Sequence, residues 1–194
     1  MAAELAKRLS ASGIDVVRTR EPGGTPGAEA IRNLILTPSV EVGGWQAMAE
    51  TLLFYAARRD HLDKLIRPTL ERGSWVICDR FSDPTRAYQA AAGGVSSSDV
   101  EAIDRICVGD TVPDLTLVLD LPIGTARQRM VARKGSADAI ESRLLSYHEA
   151  VHHAFLEIAH ANPQRCVVLD ASAEAERVAD AAMDAIRTRL GGVG

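Results

Sequence analysis

The chain has 194 residues, 46% hydrophobic and 25% charged, enough to bury one substantial core in an ordinary globular domain. Its 26 acidic and 22 basic side chains leave a net charge of −4, which disfavours non-specific binding to nucleic acid or an anionic membrane. No apolar run nears the ~20 residues of a membrane span, and no secretory or transit-peptide pattern is visible.

Ala2, Leu5, Ala6 and Leu9 recur at helical spacing, so the pattern predicts an amphipathic helix over 2–10. Ser12-Gly13 breaks it, and residues 14–17 (IDVV) read as a buried strand. A chain of this type that opens on a helix looks as if a strand should precede it. Three further apolar runs follow, at 75–78, 115–119 and 166–169. All four runs are nearly continuous rather than alternating, which suits strands covered on both faces of a parallel sheet. Helical patterns over 27–36, 45–72, 85–92, 98–108, 123–133, 139–161 and 173–190 separate the strands. This alternation predicts a single doubly wound α/β domain, with residues 37–44 and 90–98 as internal loops. Ser98 and Glu101 predict a capping box, and Ser172 a cap for the last helix. Cys78, Cys107 and Cys166 are scattered through apolar patterns, which points to a reducing, cytoplasmic compartment and not to a disulfide framework.

Ligands bind such sheets at the carboxyl ends of the strands, which singles out residues 18–25, 79–83, Asp120 and Asp170. Asp79 can hold Mg²⁺ directly or through water, and Arg80 beside it can fork onto a phosphate; an ion pair capping the strand is the plainer alternative. The REPGGT loop offers free N–H groups before a helix starting near Pro26, yet it lacks GxxxxGK[ST] spacing and by itself reads as a turn. Phe54 and Arg58 lie four residues apart on one helical face. A ring that stacks and a guanidinium that meets a carbonyl oxygen can read a planar base, whereas the plain reading is a core ring and a solvated cation. Thr85, Tyr88 and Gln89 begin a helix close to Asp79-Arg80 and offer uncharged hydrogen bonds to a base or sugar, or merely cap and coat that helix.

His148-Glu149-Ala150-Val151-His152 spells HExxH on a predicted helix, two imidazoles and a glutamate base as in zinc hydrolases, or else histidines on a polar helix side. The basic stretch 127–143, with Arg127, Arg129, Arg133, Lys134 and Arg143 around a Gly/Ser/Ala break, suits a lid over polyphosphate or a solvated face.

Taken in order, TREPGGTPGAEAIRNLIL, AETLLFYAARRDHLDKLIRP, ERGSWVICDRFSDPTRAYQ, PDLTLVLDLP and RCVVLDAS make the chain resemble bacterial thymidylate kinase, a P-loop nucleoside monophosphate kinase family. The likeness spans nearly the whole chain. It implies a three-layer α/β/α fold, transfer of the γ-phosphoryl of ATP to thymidylate (dTMP) with Mg²⁺, and a cytoplasmic homodimer. Carried over by position, Phe54 stacks on thymine, Arg58 bonds its O4 edge, and Glu21-Pro22, Thr85, Tyr88 and Gln89 line the nucleoside pocket. Asp79 supports Mg²⁺ and Arg80 holds the acceptor phosphate, while Arg133, Lys134 and Arg143 belong to a lid over 134–143. Positioning and charge neutralisation carry this chemistry, so cations and fixed donors are the parts it needs.

The chain departs from the family pattern at the lid, where Asp138-Ala139 replaces an Asp-Arg pair and Ala150, His152 and Ala154 stand where relatives often carry arginines. Pro84 replaces a frequent serine. No GxxxxGK[ST] run occurs in the 194 residues. The expectation is therefore that the central strand and P-loop lie upstream of Met1 of a longer natural protein, or that the chain is a truncated form with little kinase activity. Two alternatives stay open: a non-catalytic thymidylate-binding relative, and a zinc hydrolase using His148, Glu149 and His152.

Overall fold

A computed structural model describes residues 1–37, 44–132 and 144–191. Helix α1 (Ala2–Ala11) leads into β1 (Val16–Arg20), α2 (Pro26–Leu36) and α3 (Ala47–His61). A π turn over Leu62–Ile66 joins α3 to α4 (Arg67–Glu71), and β2 (Trp75–Asp79) follows. Next come α5 (Ser82–Thr85), a second π turn over Arg86–Ala91, and α6 (Ser97–Cys107). The last elements are β3 (Thr116–Asp120), α7 (Ile123–Ala132), α8 (Leu145–Ala161), β4 (Cys166–Asp170) and α9 (Ala175–Leu190).

The described strands pair in parallel as β1–β2 and β3–β4. Val16 lies opposite Trp75 and Arg20 opposite Asp79, while Thr116 lies opposite Cys166 and Asp120 opposite Asp170. This register brings Arg20, Asp79, Asp120 and Asp170 to the carboxyl ends of their strands.

One apolar cluster unites the two pairs. Leu5 and Leu9 of α1, Ala182, Met183 and Ile186 of α9 and Leu169 of β4 are buried together, and Val16, Trp75, Ile77, Leu117 and Val167 pack on them from all four strands. On the opposite side of β2, Val76 packs on a second cluster built from Tyr55, Leu62, Ile66, Val100 and Val108. Successive β2 side chains thus meet different helical layers, as strand alternation requires. A third cluster joins Ala87 to Val151 and Ala154 of α8.

Leu9 is 1% exposed at the centre of the shared cluster. Leu9→Ala is expected to cost about 2–5 kcal/mol, read as a lower urea midpoint. An unchanged midpoint would contradict the role given to α1.

Four expectations need correction. The first strand is Val16–Arg20 and not 14–17, because backbone pairing with β2 selects Val16 onward while Ile14 packs on the core before the strand begins. Full burial on both faces does not hold either: Leu119 is 43% exposed and Val168 42%. The capping box fails because α6 is entered at Ser96, whose hydroxyl bonds Ser98 and caps nothing. Ser172 likewise gives its N–H to Asp170, and α9 is entered at Glu174. Within the long pattern over 45–72 the helix runs from Ala47 to Glu71 and passes through the π turn at 62–66.

Candidate active site at the strand carboxyl ends

The loop after β1 is held at both ends. Glu21 donates its N–H to the Asp79 carbonyl at 2.9 Å, extending the β1–β2 pairing by one residue. Thr25 caps α2 by accepting the Ala28 N–H at 3.2 Å, with Pro26 in the first helical position. Between them the Glu21-Pro22 peptide is cis and Gly24 has φ +88°. The Glu29 carboxylate accepts the Gly24 N–H at 3.0 Å and an Arg20 N–H at 2.8 Å. These bonds, the Gly24 one foremost, hold the Glu29 carboxyl below its ordinary range. The loop is therefore a tied structure and not a free anion cradle.

Gly24 has a steric reason to be glycine. A Cβ there would lie 2.5 Å from both His61 Nε2 and Thr19 Oγ1. Gly24→Ala is expected to lose about 1–2 kcal/mol to the left-handed backbone alone, and more to the clash, which calorimetric unfolding would register. Wild-type stability in that variant would contradict the packing.

Arg58 lies behind this loop, 2% exposed. Its Nε donates to Glu21 Oε2 at 2.7 Å, and its Nη2 donates to the Phe81 carbonyl at 2.6 Å and to Thr85 Oγ1 at 3.0 Å. The guanidinium carbon sits 4.7 Å from the Tyr55 ring centroid and 5.5 Å from that of Phe81. Nη1 is buried and finds no acceptor among the described residues. A buried donor without an acceptor costs about 1–3 kcal/mol, so Nη1 is a hydrogen bond held in reserve. Phe54, one turn earlier on α3, is half-buried and belongs to none of the three core clusters of the described residues.

Glu21 is also held from its other oxygen. His61, fully buried, places Nδ1 3.1 Å from Glu21 Oε1 and Nε2 2.7 Å from Thr19 Oγ1. Sequence reasoning missed His61 as a site residue and reached Thr19 only as part of the 18–25 stretch. The available signal was a histidine three positions after Arg58, on the same run of helix.

Asp79 and Arg80 follow at the end of β2, both exposed. Arg80 has φ +70°, a conformation that strains any residue with a Cβ, and its guanidinium lies 5.6 Å from the Tyr88 ring centroid. Tyr88 is braced by the Tyr147 and Phe155 rings of α8, at 6.1–6.2 Å between centroids. Thr85 and Gln89 are each 2% exposed. Thr85 is committed to Arg58, and Gln89 donates to Glu50 Oε1 at 2.9 Å. Asp83 is clamped by two bonds from Arg165, at 2.6 and 2.8 Å, which fixes this segment against the start of β4.

The structure thus brings Glu21, Pro22, Arg58 and Thr85 into direct contact or immediate succession, with Asp79, Arg80 and Tyr88 at the strand end beside them. Arg133, Lys134 and Arg143, and the lid over 134–143, lie outside the described residues. The zinc reading gains no support. His152 is engaged by Asp120 at 2.7 Å, and among the described residues the ligand atoms that converge within 4.8 Å belong instead to Glu21, His61 and Cys78. That trio does not suit a cation: the Arg58 guanidinium already neutralises Glu21, and burial pushes the Cys78 thiol well up, away from the thiolate a metal requires.

A family model described as thymidylate kinase matches residues 1–182. The chain is 51% identical over 187 residues to a thymidylate kinase of Caulobacter vibrioides, covering 96% of this chain and 88% of that protein. It is 50% identical over 188 residues to a thymidylate kinase of a Bradyrhizobium species, covering 96% and 82% of the two chains. A thymidylate kinase of Rhodopseudomonas palustris is 48% identical over 189 residues, covering 96% and 81%.

Proposed function

The chain belongs to the thymidylate kinase family, and on that premise we propose that the residues at the ends of β1 and β2 form its thymidylate site. The family reaction is phosphorylation of dTMP to dTDP, with ATP as the phosphoryl donor.

The observation that carries this reading is the reserved donor of Arg58. Thymine presents a carbonyl oxygen at C4, and a guanidinium nitrogen with no other acceptor is the group to meet it. Two further Arg58 bonds, to Glu21 and Thr85, fix the direction in which Nη1 points, so recognition needs little reordering. Phe54 supplies the stacking face. Glu21-Pro22 forms one wall, with Thr85, Tyr88 and Gln89 on the other. Gln89 acts there through its bond to Glu50.

Arg80 holds the acceptor phosphate. Its strained backbone directs the guanidinium over Tyr88, and its charge offsets the negative charge that gathers as two phosphates approach. The exposed Asp79 carboxylate, a hard oxygen donor at the strand end, fits Mg²⁺ and would hold it, and the ion's charge would there screen the phosphate oxygens. Arg133, Lys134 and Arg143 would add lid cations around the donor phosphates. The described residues at the ends of β1 and β2 are those that would serve the acceptor side of the reaction.

The same proposal covers architecture and setting. The chain is read as one domain over 1–194, with a lid over 134–143, and the two strand pairs as parts of one doubly wound sheet with a strand position between β2 and β3. What supports the last point is the apolar cluster common to both pairs. A homodimer through helices is supported by Met48 and Leu52, exposed one turn apart on α3. No described helix is long and apolar enough to cross a membrane, and three free cysteines suit the cytoplasm.

Calorimetric titration with dTMP tests the site: one equivalent is expected to bind per chain. A chain that is folded and takes up no dTMP would overturn the reading.

A further inference from the structure

Behind the Arg58 guanidinium runs a continuous relay of side chains, buried at Arg58, Glu21 and His61 and partly buried at Thr19. Thr19 Oγ1 meets His61 Nε2 at 2.7 Å, His61 Nδ1 meets Glu21 Oε1 at 3.1 Å, and Glu21 Oε2 meets Arg58 Nε at 2.7 Å. A carboxylate only accepts, so the Nδ1 contact puts an N–H toward Glu21 and leaves Nε2 to pair with the Thr19 hydroxyl. His61 is fully buried and Glu21 is 4% exposed, so water is not available to replace either bond. The Gly24 backbone closes over the Thr19–His61 contact, leaving no room for a Cβ.

We propose that Thr19 and His61 are a positioning pair, holding Glu21 so that the Arg58 guanidinium is presented at the angle that reads the C4 oxygen of the bound base. This rests on the thymidylate reading of the site. Glu21 alone cannot set that angle: one bond to Nε leaves the carboxylate free to rotate about its own side-chain torsions. Fixing its second oxygen from His61 removes that freedom, and fixing His61 from Thr19 locks the ring. The Phe81 carbonyl and Thr85 hydroxyl hold Nη2 from the opposite side, so Nη1 is left with one direction. Neither Thr19 nor His61 touches the base in this account.

The test is equilibrium binding of two ligands, dTMP and its analogue with hydrogen in place of the C4 oxygen, to the full chain and three variants. Wild type is expected to prefer dTMP, because only dTMP places an oxygen acceptor at C4 for Nη1. His61→Phe keeps the ring volume and removes the donor to Glu21; it should weaken dTMP about 10- to 100-fold and leave the analogue nearly unchanged. His61→Asn, whose amide nitrogen falls about where Nδ1 lies, should restore most of the dTMP affinity. Equal weakening of both ligands by His61→Phe, or no weakening, overturns the positioning role. So does failure of His61→Asn to restore affinity. If His61→Phe does not fold, Thr19→Val decides: a loss of about threefold confined to dTMP supports the pair, and none overturns it. Wild type binding both ligands equally would instead refute the reading of Arg58 itself, and the pair with it.

Discussion

An Arg58→Met chain is expected to lose about 3–5 kcal/mol of stability and its measurable affinity for dTMP. Both losses come from one geometry. Glu21 and Arg58 are 4% and 2% exposed and 2.7 Å apart, so removing the guanidinium strands a carboxylate where solvent does not reach it. Methionine fills the apolar volume between Tyr55 and Phe81 but supplies no donor to Glu21, to the Phe81 carbonyl or to Thr85. Arg58→Lys separates the two effects. It keeps the charge and should recover much of the stability, yet an ammonium on a flexible stem cannot bond Glu21, Phe81 and a base carbonyl at once, so dTMP affinity should stay low. Urea unfolding and calorimetry read the two quantities. A lysine variant with wild-type affinity would contradict the fork-based reading.

The second large effect is expected at Arg80. At φ +70° a side chain with a Cβ is strained, so Arg80→Gly should be more stable than Arg80→Ala by about 1–2 kcal/mol, the reverse of the usual order of these residues. Both variants should lose dTMP affinity about 10- to 100-fold, because the phosphate loses a charged donor. Fold and binding are thus pulled apart at one position: the glycine variant relieves strain and still fails to bind. Equal stability of the two variants, from thermal unfolding, would show that the strain is not real. Undiminished affinity would show that the phosphate is held elsewhere.

Much of this site is legible in the sequence because its parts are local. Phe54 and Arg58 are one helical turn apart, Asp79-Arg80 follow an apolar strand directly, and Thr25-Pro26 announce a helix start. The residues that organise the site were not legible, because their partners are far along the chain. His61 joins Glu21 across 40 positions and Thr19 across 42, and Arg165 clamps Asp83 across 82. Local composition also misled where backbone geometry decides. Apolar content placed the first strand at 14–17, whereas the pairing partner of Trp75 is Val16. Serines that resemble caps at 98 and 172 lost that role to neighbouring hydrogen bonds. Arg58 gave no sequence sign that one of its nitrogens is left over, since that follows only from counting acceptors around the folded guanidinium.

The central claim is that a buried donor at Arg58 selects a base with an oxygen at C4. Its most direct test is the ratio of dissociation constants for dTMP and dCMP, whose C4 carries an amino group in place of the oxygen. The account predicts that dTMP binds roughly 100-fold more tightly, since dCMP sets an N–H donor against Nη1 and leaves both unsatisfied. Equal affinity for the two nucleotides would contradict it.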